Sequence, residues 1–351
     1  MSRELIKAYT YEELQAKVQE LGFPKYTAQQ LFLWLWQKGV DDFSLMTDIA
    51  KKNREILKNH FTSEVLNWER TLESKDGTKK SLFSLLDGKK IESVFIPEEK
   101  RKTVCVSTQV GCALGCRFCF TARMGMKRNL KFYEILEQVK EMRRIFGPIT
   151  NVVFMGMGEP FLNFAEVMKA VTILNSNFGF KIGQRHITIS TAGIVEGIYQ
   201  LAESRFNVKL ALSLNSPRDE IRSFLMPINE KYPIKELMKA LKDYTRKKKS
   251  RATIEYVLIK GVNDSEKDAF LLGKILRSLP SKVNLIPFNP FPDTNFLPPS
   301  EKEVENFASL LSSSYPYLIT IRKSRGSDIL AGCGQLITEN ASSTPNGIDN
   351  L

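Results

Sequence analysis

Cys112, Cys116 and Cys119 stand in a C-x3-C-x2-C spacing within the run CVSTQVGCALGCRFCF, which also holds Cys105. Thiolates are soft ligands that select zinc, copper(I) or iron–sulfur clusters, and a structural zinc site takes four ligands in a closed tetrahedron. Three thiolates leave one position open. On a [4Fe–4S] cluster, which ordinarily takes four cysteines, three would present one iron to a substrate or cofactor. The alternative is a zinc knuckle completed by Cys105, a histidine or a distant cysteine. The fifth cysteine, Cys333, lies in AGCGQL, more than two hundred residues downstream. Glycines on either side let its backbone approach closely and its loop move. Taken alone, Cys333 reads as a small buried hydrophobe, and Cys105, in the apolar run TVCVS, as a fourth ligand or a strand-core residue.

The elements that must position these thiols follow a strand–helix rhythm. TVCVS precedes a helix over Glu134 to Ile145, NVVFM one over Phe164 to Asn175, and HITIS one over Val195 to Glu203. VKLALS precedes helices near Asp219 to Leu225 and Ile234 to Lys247, ATIEYVL one over Glu266 to Leu279, and KVNLIPF one over Glu301 to Leu311. About six such units predict a parallel sheet covered by helices, doubly wound or curled into an incomplete barrel, with ligands at the carboxyl ends of the strands. The three clustered cysteines follow the first strand and fall at that edge.

Ahead of this region, Thr10 and Glu13 form a capping-box pattern, and Tyr11, Leu14, Val18 and Leu21 share one face, which predicts a helix over residues 10 to 21 ended by Gly22. A second helix fits TAQQLFLWLWQKG, with Thr27 as cap and Gly39 as stop, and a third fits Thr47 to His60. From Leu66 to Pro97 the pattern becomes strand-like, with turns at Asp76-Gly77 and Asp87-Gly88, a short β-meander. The expected organisation is a helical accessory domain over 1–62, which the resemblance given below makes RNA-binding, a meander over 63–98, an α/β region over 99–338 and a disordered tail over 339–351.

The chain has 351 residues, 42% of them hydrophobic, enough for a sizeable core. No apolar run approaches the about 20 residues of a membrane span, and MSRELIKAYT lacks a signal-peptide core. With an odd cysteine count, this favours a reducing cytoplasmic setting and no membrane association. The net charge is +12, from 51 Lys and Arg against 39 acids, which points to a polyanion, nucleic acid first. Tyr244 to Arg251, Lys127-Arg128, and Arg322-Lys323 with Arg325 are the basic segments expected at phosphates, with nearby tyrosines stacking on unpaired bases.

C-x3-C-x2-C with Phe118 before the last cysteine resembles the signature of the radical S-adenosylmethionine (SAM) enzymes. The phrases FMGMGEPFLN, ITISTAGI, LMPINEKYPI, IEYVLIKGVND, NLIPFNPFP and IRKSRGSDILAGCGQL narrow it: from residue 5 to residue 337 the chain resembles the RNA adenine-C2 methyltransferase family RlmN, whose relative Cfr methylates C8 of the same adenine. The resemblance implies an incomplete (β/α)6 barrel behind a helical N-terminal unit. It implies a [4Fe–4S] cluster on Cys112, Cys116 and Cys119, SAM as methyl donor and radical source, and 23S rRNA and tRNA as substrates. It also implies an electron donor such as flavodoxin and a monomer. A C8-specific enzyme of the Cfr type and a noncatalytic iron–sulfur or zinc RNA-binding protein are the alternatives.

In that family one SAM methylates a cysteine thiol, a second is cleaved reductively at the cluster, and the resulting radical abstracts hydrogen from the S-methyl group. The carbon radical adds to adenine, and a second cysteine resolves the protein–RNA adduct. By resemblance Cys333 is the methyl carrier, Cys105 the resolving cysteine that takes the substrate-carbon proton and pairs transiently with Cys333, and Glu92 a proton acceptor, a role for which Cys105 competes. For Glu92 the local alternative is an exposed strand position. For SAM, Gly156, Gly158 and Glu159 would receive the methionine ammonium. Ser190, Ser213, Leu214, Asn215 and Asn289 would supply further contacts, with strand capping as the alternative. Two departures stand out. SLN at Ser213 to Asn215 replaces SLH, removing an imidazole that could titrate, and Phe120 replaces a small residue after the last cluster cysteine.

Overall fold

The computed structural model describes residues 3–338; the tail expectation falls outside them. Ten strands form one sheet: β1 (Leu66–Glu73), β2 (Lys79–Leu85), β3 (Lys90–Pro97), β4 (Lys102–Cys105), β5 (Asn151–Phe154), β6 (Ile187–Thr191), β7 (Lys209–Ser213), β8 (Ala252–Leu258), β9 (Ser281–Pro287) and β10 (Ile319–Ile321). Their order in the sheet follows the chain. β1 to β4 pair antiparallel and β4 to β10 parallel, so the meander is continuous with the barrel through β3 and β4, where Val94 faces Cys105. β10 adds a seventh parallel strand to the six expected. Its run, ITI, is too short and too exposed to show a burial pattern.

The architecture is α/β, an open helix-covered sheet behind a helical N-terminal region, as the resemblance to an incomplete barrel implies. The helices covering the parallel part are α4 (Phe132–Phe146), α5 (Phe164–Asn175), α6 (Val195–Glu203), α7 (Asp219–Leu225), α8 (Ile234–Lys248), α9 (Glu266–Leu276) and α10 (Glu301–Ser312). Ser265 with Asp268 and Ser300 with Glu303 form capping boxes that start α9 and α10. β8 is buried on both faces, as a strand between two layers must be.

In the N-terminal unit, α1 (Tyr11–Glu20) begins at the Thr10–Glu13 capping box. The second helix departs from expectation: α2 (Tyr26–Phe32) starts before Thr27, which is buried inside it, and Leu33–Lys38 continues as π-helix to Gly39. α3 is shorter than expected, Lys51–His60. The unit is tied to α4 by charge. Lys7, fully buried, meets Glu137 at 2.8 Å and Asp41 at 2.7 Å, and Lys140 meets Glu137 at 2.6 Å.

Candidate active site

Cys105 closes β4, and the chain then turns through Gly111 into the cluster loop. Gly111 has φ +75°, and a Cβ there would sit 1.8 Å from the Gly125 carbonyl oxygen, so only glycine lets the two limbs of the loop cross. The Cys112 N–H donates to that carbonyl at 3.2 Å. Cys112, Cys116 and Cys119 all line one open cavity with about 990 Å³ of empty space, counted out to the solvent. Burial pushes the Cys112 thiol up to about 12 and Cys116 and Cys119 upward as well, and the charges of neighbouring thiolates add to each shift. Three half-buried soft donors that resist ionising together fit a cationic iron–sulfur cluster, which would remove that penalty.

Gly158, Glu159, Ser190, Ser213 and Asn215 line the same cavity, and so does Cys333. The Glu159 carboxylate accepts from the Ala192 N–H at 2.7 Å and the Phe161 N–H at 3.0 Å, bonds that offset the burial pushing it up to about 7. Asn215 stands at φ +58°, where Asn is among the few tolerated side chains, and its Oδ1 accepts from the Val257 N–H at 2.9 Å. Asn in place of His therefore serves the turn as well as the cavity. Leu214 is buried outside the cavity lining, its carbonyl taken by Arg222 at 3.0 Å.

Cys333 also lines a second cavity, with about 520 Å³ of empty space, together with Cys105, Asn289 and Arg322. Asn289 donates to the Cys333 carbonyl at 3.2 Å, so it holds the thiol's loop, and it does not line the cavity of Cys112, Cys116 and Cys119. Burial, reinforced by Cys333, pushes the Cys105 thiol up to about 12, and the Arg322 guanidinium opposes the shift. Cys105 faces Cys333 across this smaller cavity and does not line the one that holds the other three thiols. The Phe120 ring stacks on Phe291 at 4.8 Å between centroids, so this departure packs the cluster loop against the segment after β9, while its backbone N–H, independent of the side chain, donates to the Gly334 carbonyl at 2.6 Å.

Glu92 lines neither cavity. It is buried, paired with Lys80 at 3.0 Å, and its Oε2 accepts from the Ile337 N–H at 2.9 Å, which corrects the exposed-strand alternative. The phosphate-contact expectation is also revised. Tyr244 is buried with its hydroxyl on the Val208 carbonyl, Arg128 is paired with Glu134 and Asp87, and Arg322 turns into the cavities. Lys127, Lys323 and Arg251 remain exposed.

Two site residues escaped the sequence reading. Arg222, fully buried, donates to the carbonyls of Leu214 and Ala192 and to Asn229, so it ties together two loops of the larger cavity. Glu255 lines that cavity from β8, and its Oε2 accepts no hydrogen bond from any described residue. A buried orphan acceptor beside the cysteines fits a ligand rich in N–H and O–H donors, as SAM is. A carboxylate inside the apolar run ATIEYVL was the available signal.

A radical SAM superfamily model matches residues 106–272, and a ribosomal RNA large subunit methyltransferase N-terminal domain model matches residues 6–62. A dual-specificity RNA methyltransferase RlmN of Geotalea uraniireducens is 44% identical over 336 residues, 96% of this chain and 97% of that protein. The chain belongs to the RlmN family of radical SAM RNA methyltransferases. The RlmN of Marinobacter nauticus is likewise 44% identical, over 93% of this chain and 90% of that protein. The crystal structure of a radical SAM methyltransferase from Sphaerobacter thermophilus superposes with a TM-score of 0.91 at 42% identity, covering 95% of this chain and 98% of that one. Membership of the RlmN family implies the cluster and SAM for which the cavity residues are suited. Among the described residues of this RlmN-family chain, no helix is long and apolar enough to cross a membrane.

Proposed function

We propose that this enzyme methylates C2 of an adenine in 23S rRNA and in tRNA, with Cys333 as methyl carrier and Cys105 as resolving thiol. The observation that carries the reading is that Cys333 lies in the wall between two cavities, one lined by Cys112, Cys116 and Cys119 and the other by Cys105. Cys112, Cys116 and Cys119 would hold the cluster, and Gly158, Glu159, Ser190, Ser213, Asn215 and Glu255 would hold SAM. When bound, the cluster supplies the electron that cleaves SAM, passed on from a flavodoxin-type donor.

The chain's own residues do the rest. Cys333 takes the methyl group on its sulfur and presents it to the substrate. Cys105, in a cavity too apolar for a free thiolate, is a strong base once deprotonated, and Arg322 is the cation that makes that state accessible. The N-terminal unit and the exposed lysines would seat the RNA backbone, and the target adenine would be drawn out of its stack to reach Cys333.

The test is the mass of the tryptic peptide beginning at Gly326, which contains Cys333 and no other cysteine, from anaerobically prepared, iron-loaded protein. The expected result is a gain of one methylene on Cys333 that disappears in Cys112→Ala. A Cys333 that stays unmodified in cluster-loaded protein given SAM overturns the methyl-carrier reading. Digestion of methylated RNA then separates C2 from C8 methyladenosine, and a C8 product refutes the position assigned here.

A further inference from the structure

The loop that carries Cys333 is held along its length by the meander. Asp328 accepts from the Ser74 hydroxyl at 2.5 Å and the Lys75 N–H at 3.3 Å, and the Gly326 N–H donates to Asp76 at 3.0 Å. Lys80 donates to the Leu330 carbonyl at 3.2 Å and pairs with Glu92, which receives the Ile337 N–H. The meander therefore grips the backbone at 326, 330 and 337, on both sides of the thiol. Gly326 makes the closest approach possible: at φ +65°, a Cβ there would meet Thr78 Cγ2 at 2.8 Å.

The sheet geometry explains why these two charges stand together. Lys80 pairs with Val94 and Leu82 with Glu92 across β2 and β3, so Lys80 is the diagonal neighbour of Glu92 on one face. Val94 and Ile96 on that face line the Cys105 cavity. Glu92 lies one position further along, beyond the cavity, with its carboxylate engaged at both oxygens. A carboxylate bridging an ammonium and a peptide N–H is built to hold a backbone.

We propose that Lys80 and Glu92 are positioning residues that hold the Cys333 loop between its two cavities, and that Glu92 is not the acceptor of the substrate proton. This rests on the reading of Cys333 as the methyl carrier.

The experiment compares Glu92→Gln, Lys80→Met and Asp328→Ala with the wild-type cluster-loaded protein under anaerobic conditions. Three quantities are read: the rate of methyl transfer from SAM to Cys333, the rate at which N-ethylmaleimide alkylates Cys333 before SAM is added, and the amount of covalent protein–RNA adduct. In Glu92→Gln the new amide donor faces the Lys80 ammonium. In Lys80→Met the loop carbonyl at Leu330 loses its partner. Both variants are expected to methylate Cys333 more slowly, on the order of tenfold to a hundredfold, because a group displaced by about 1 Å loses that much. Both are expected to expose the thiol to faster alkylation, to leave the KM for RNA unchanged, and to accumulate no adduct.

Asp328→Ala, at an exposed side chain, guards against loss of folding and is expected to shift both Cys333 rates in the same direction by a smaller factor. Iron content and melting temperature are measured alongside. The opposite result is a Glu92→Gln enzyme that methylates Cys333 at the wild-type rate and stalls as adduct, with Lys80→Met behaving as wild type; that outcome returns Glu92 to the proton-transfer step. If wild-type Cys333 takes no methyl group, the carrier reading fails, while unchanged alkylation rates in all three variants would separately refute the positioning role.

Discussion

Replacing Glu255 by Gln separates ligand binding from folding, because the two are expected to move in opposite directions. Glu255 is 6% exposed and lines the larger cavity; its Oε1 accepts from Asn284 at 3.0 Å, and its buried Oε2 accepts no hydrogen bond from any described residue. Burial pushes its pKa up, and the Arg322 charge draws it back down. A hydrogen bond to a charged group contributes about 1.5–3 kcal/mol net. If a donor on SAM completes this carboxylate, Gln, which puts an NH2 where Oε2 stood, sets donor against donor and forfeits that contribution. SAM should then bind about 10- to 150-fold more weakly. In the ligand-free protein the same change removes the cost of burying a carboxylate, which the attraction of Arg322 only partly offsets, so the melting temperature should stay or rise. Calorimetric titration of SAM into anaerobic, cluster-loaded protein gives the first quantity, and thermal unfolding of the ligand-free protein gives the second. A Glu255→Gln protein that binds SAM within twofold of wild type would refute the assignment of Glu255 to the SAM site.

Three further outcomes are expected. Cys105, pushed up to about 12 by burial, is protonated at neutral pH; its alkylation should be on the order of a thousandfold slower than that of a free thiol at pH 8, rising tenfold per pH unit through pH 11. A plateau near pH 8.5, read by site-resolved mass spectrometry, would contradict that, and Arg322→Met should slow the reaction further. Lys7→Met takes from Glu137 one of its two cations, leaving Lys140, in the interface between the N-terminal unit and α4, and urea unfolding should show a loss of about 1.5–3 kcal/mol, the contribution of a charged hydrogen bond, whereas Lys17→Met, at the surface, should leave the midpoint in place. Gly334→Ala, at φ +80° with a Cβ 3.1 Å from the Phe118 carbonyl, should slow Cys333 methylation while iron and sulfide content stay at wild-type levels.

The legible parts of the chain were those where one local rule governs the outcome. Helices α5, α6 and α7 run as the periodicity predicts, and the Asp76-Gly77 and Asp87-Gly88 turns connect β1 to β2 and β2 to β3. Thr27 misled because a capping residue type also fits inside a buried helix, and tertiary packing chose the earlier start at Tyr26. Tyr244 and Arg128 misled because a basic or aromatic residue type says nothing of its partners. Arg128 finds Asp87 and Glu134, one of them more than forty residues away. The site showed the same division. The three clustered cysteines declare themselves by spacing, whereas Glu255 and Arg222 acquire their meaning only when β8 and α7 are folded against the loops they serve.

The continuity of the sheet changes what Cys105 means. It ends the first parallel strand at the seam where the antiparallel meander joins, with Val94 opposite it and Ile96 nearby, so its cavity is walled by the meander on one side and by β5 and the Cys333 loop on the other. A thiol set in so apolar a wall resists ionisation, and among the described residues the charge that opposes this is Arg322, which also lines the larger cavity. Arg322 is drawn upward chiefly by Cys333 and also by Glu255 and Cys105. One guanidinium therefore senses both thiols and the orphan carboxylate. Any change in charge at one of them, whether SAM entering beside Glu255 or a methyl group capping Cys333, alters how strongly Arg322 favours a thiolate at Cys105. A methyl group on Cys333 would remove its competition for the cation and its repulsion of Cys105, so on the proposed reading Cys105 would become easier to ionise once Cys333 carries the methyl group. The alkylation rate of Cys105 should accordingly be higher in protein whose Cys333 is methylated than in protein whose Cys333 is free. Equal rates in the two forms would show that Arg322 does not couple them.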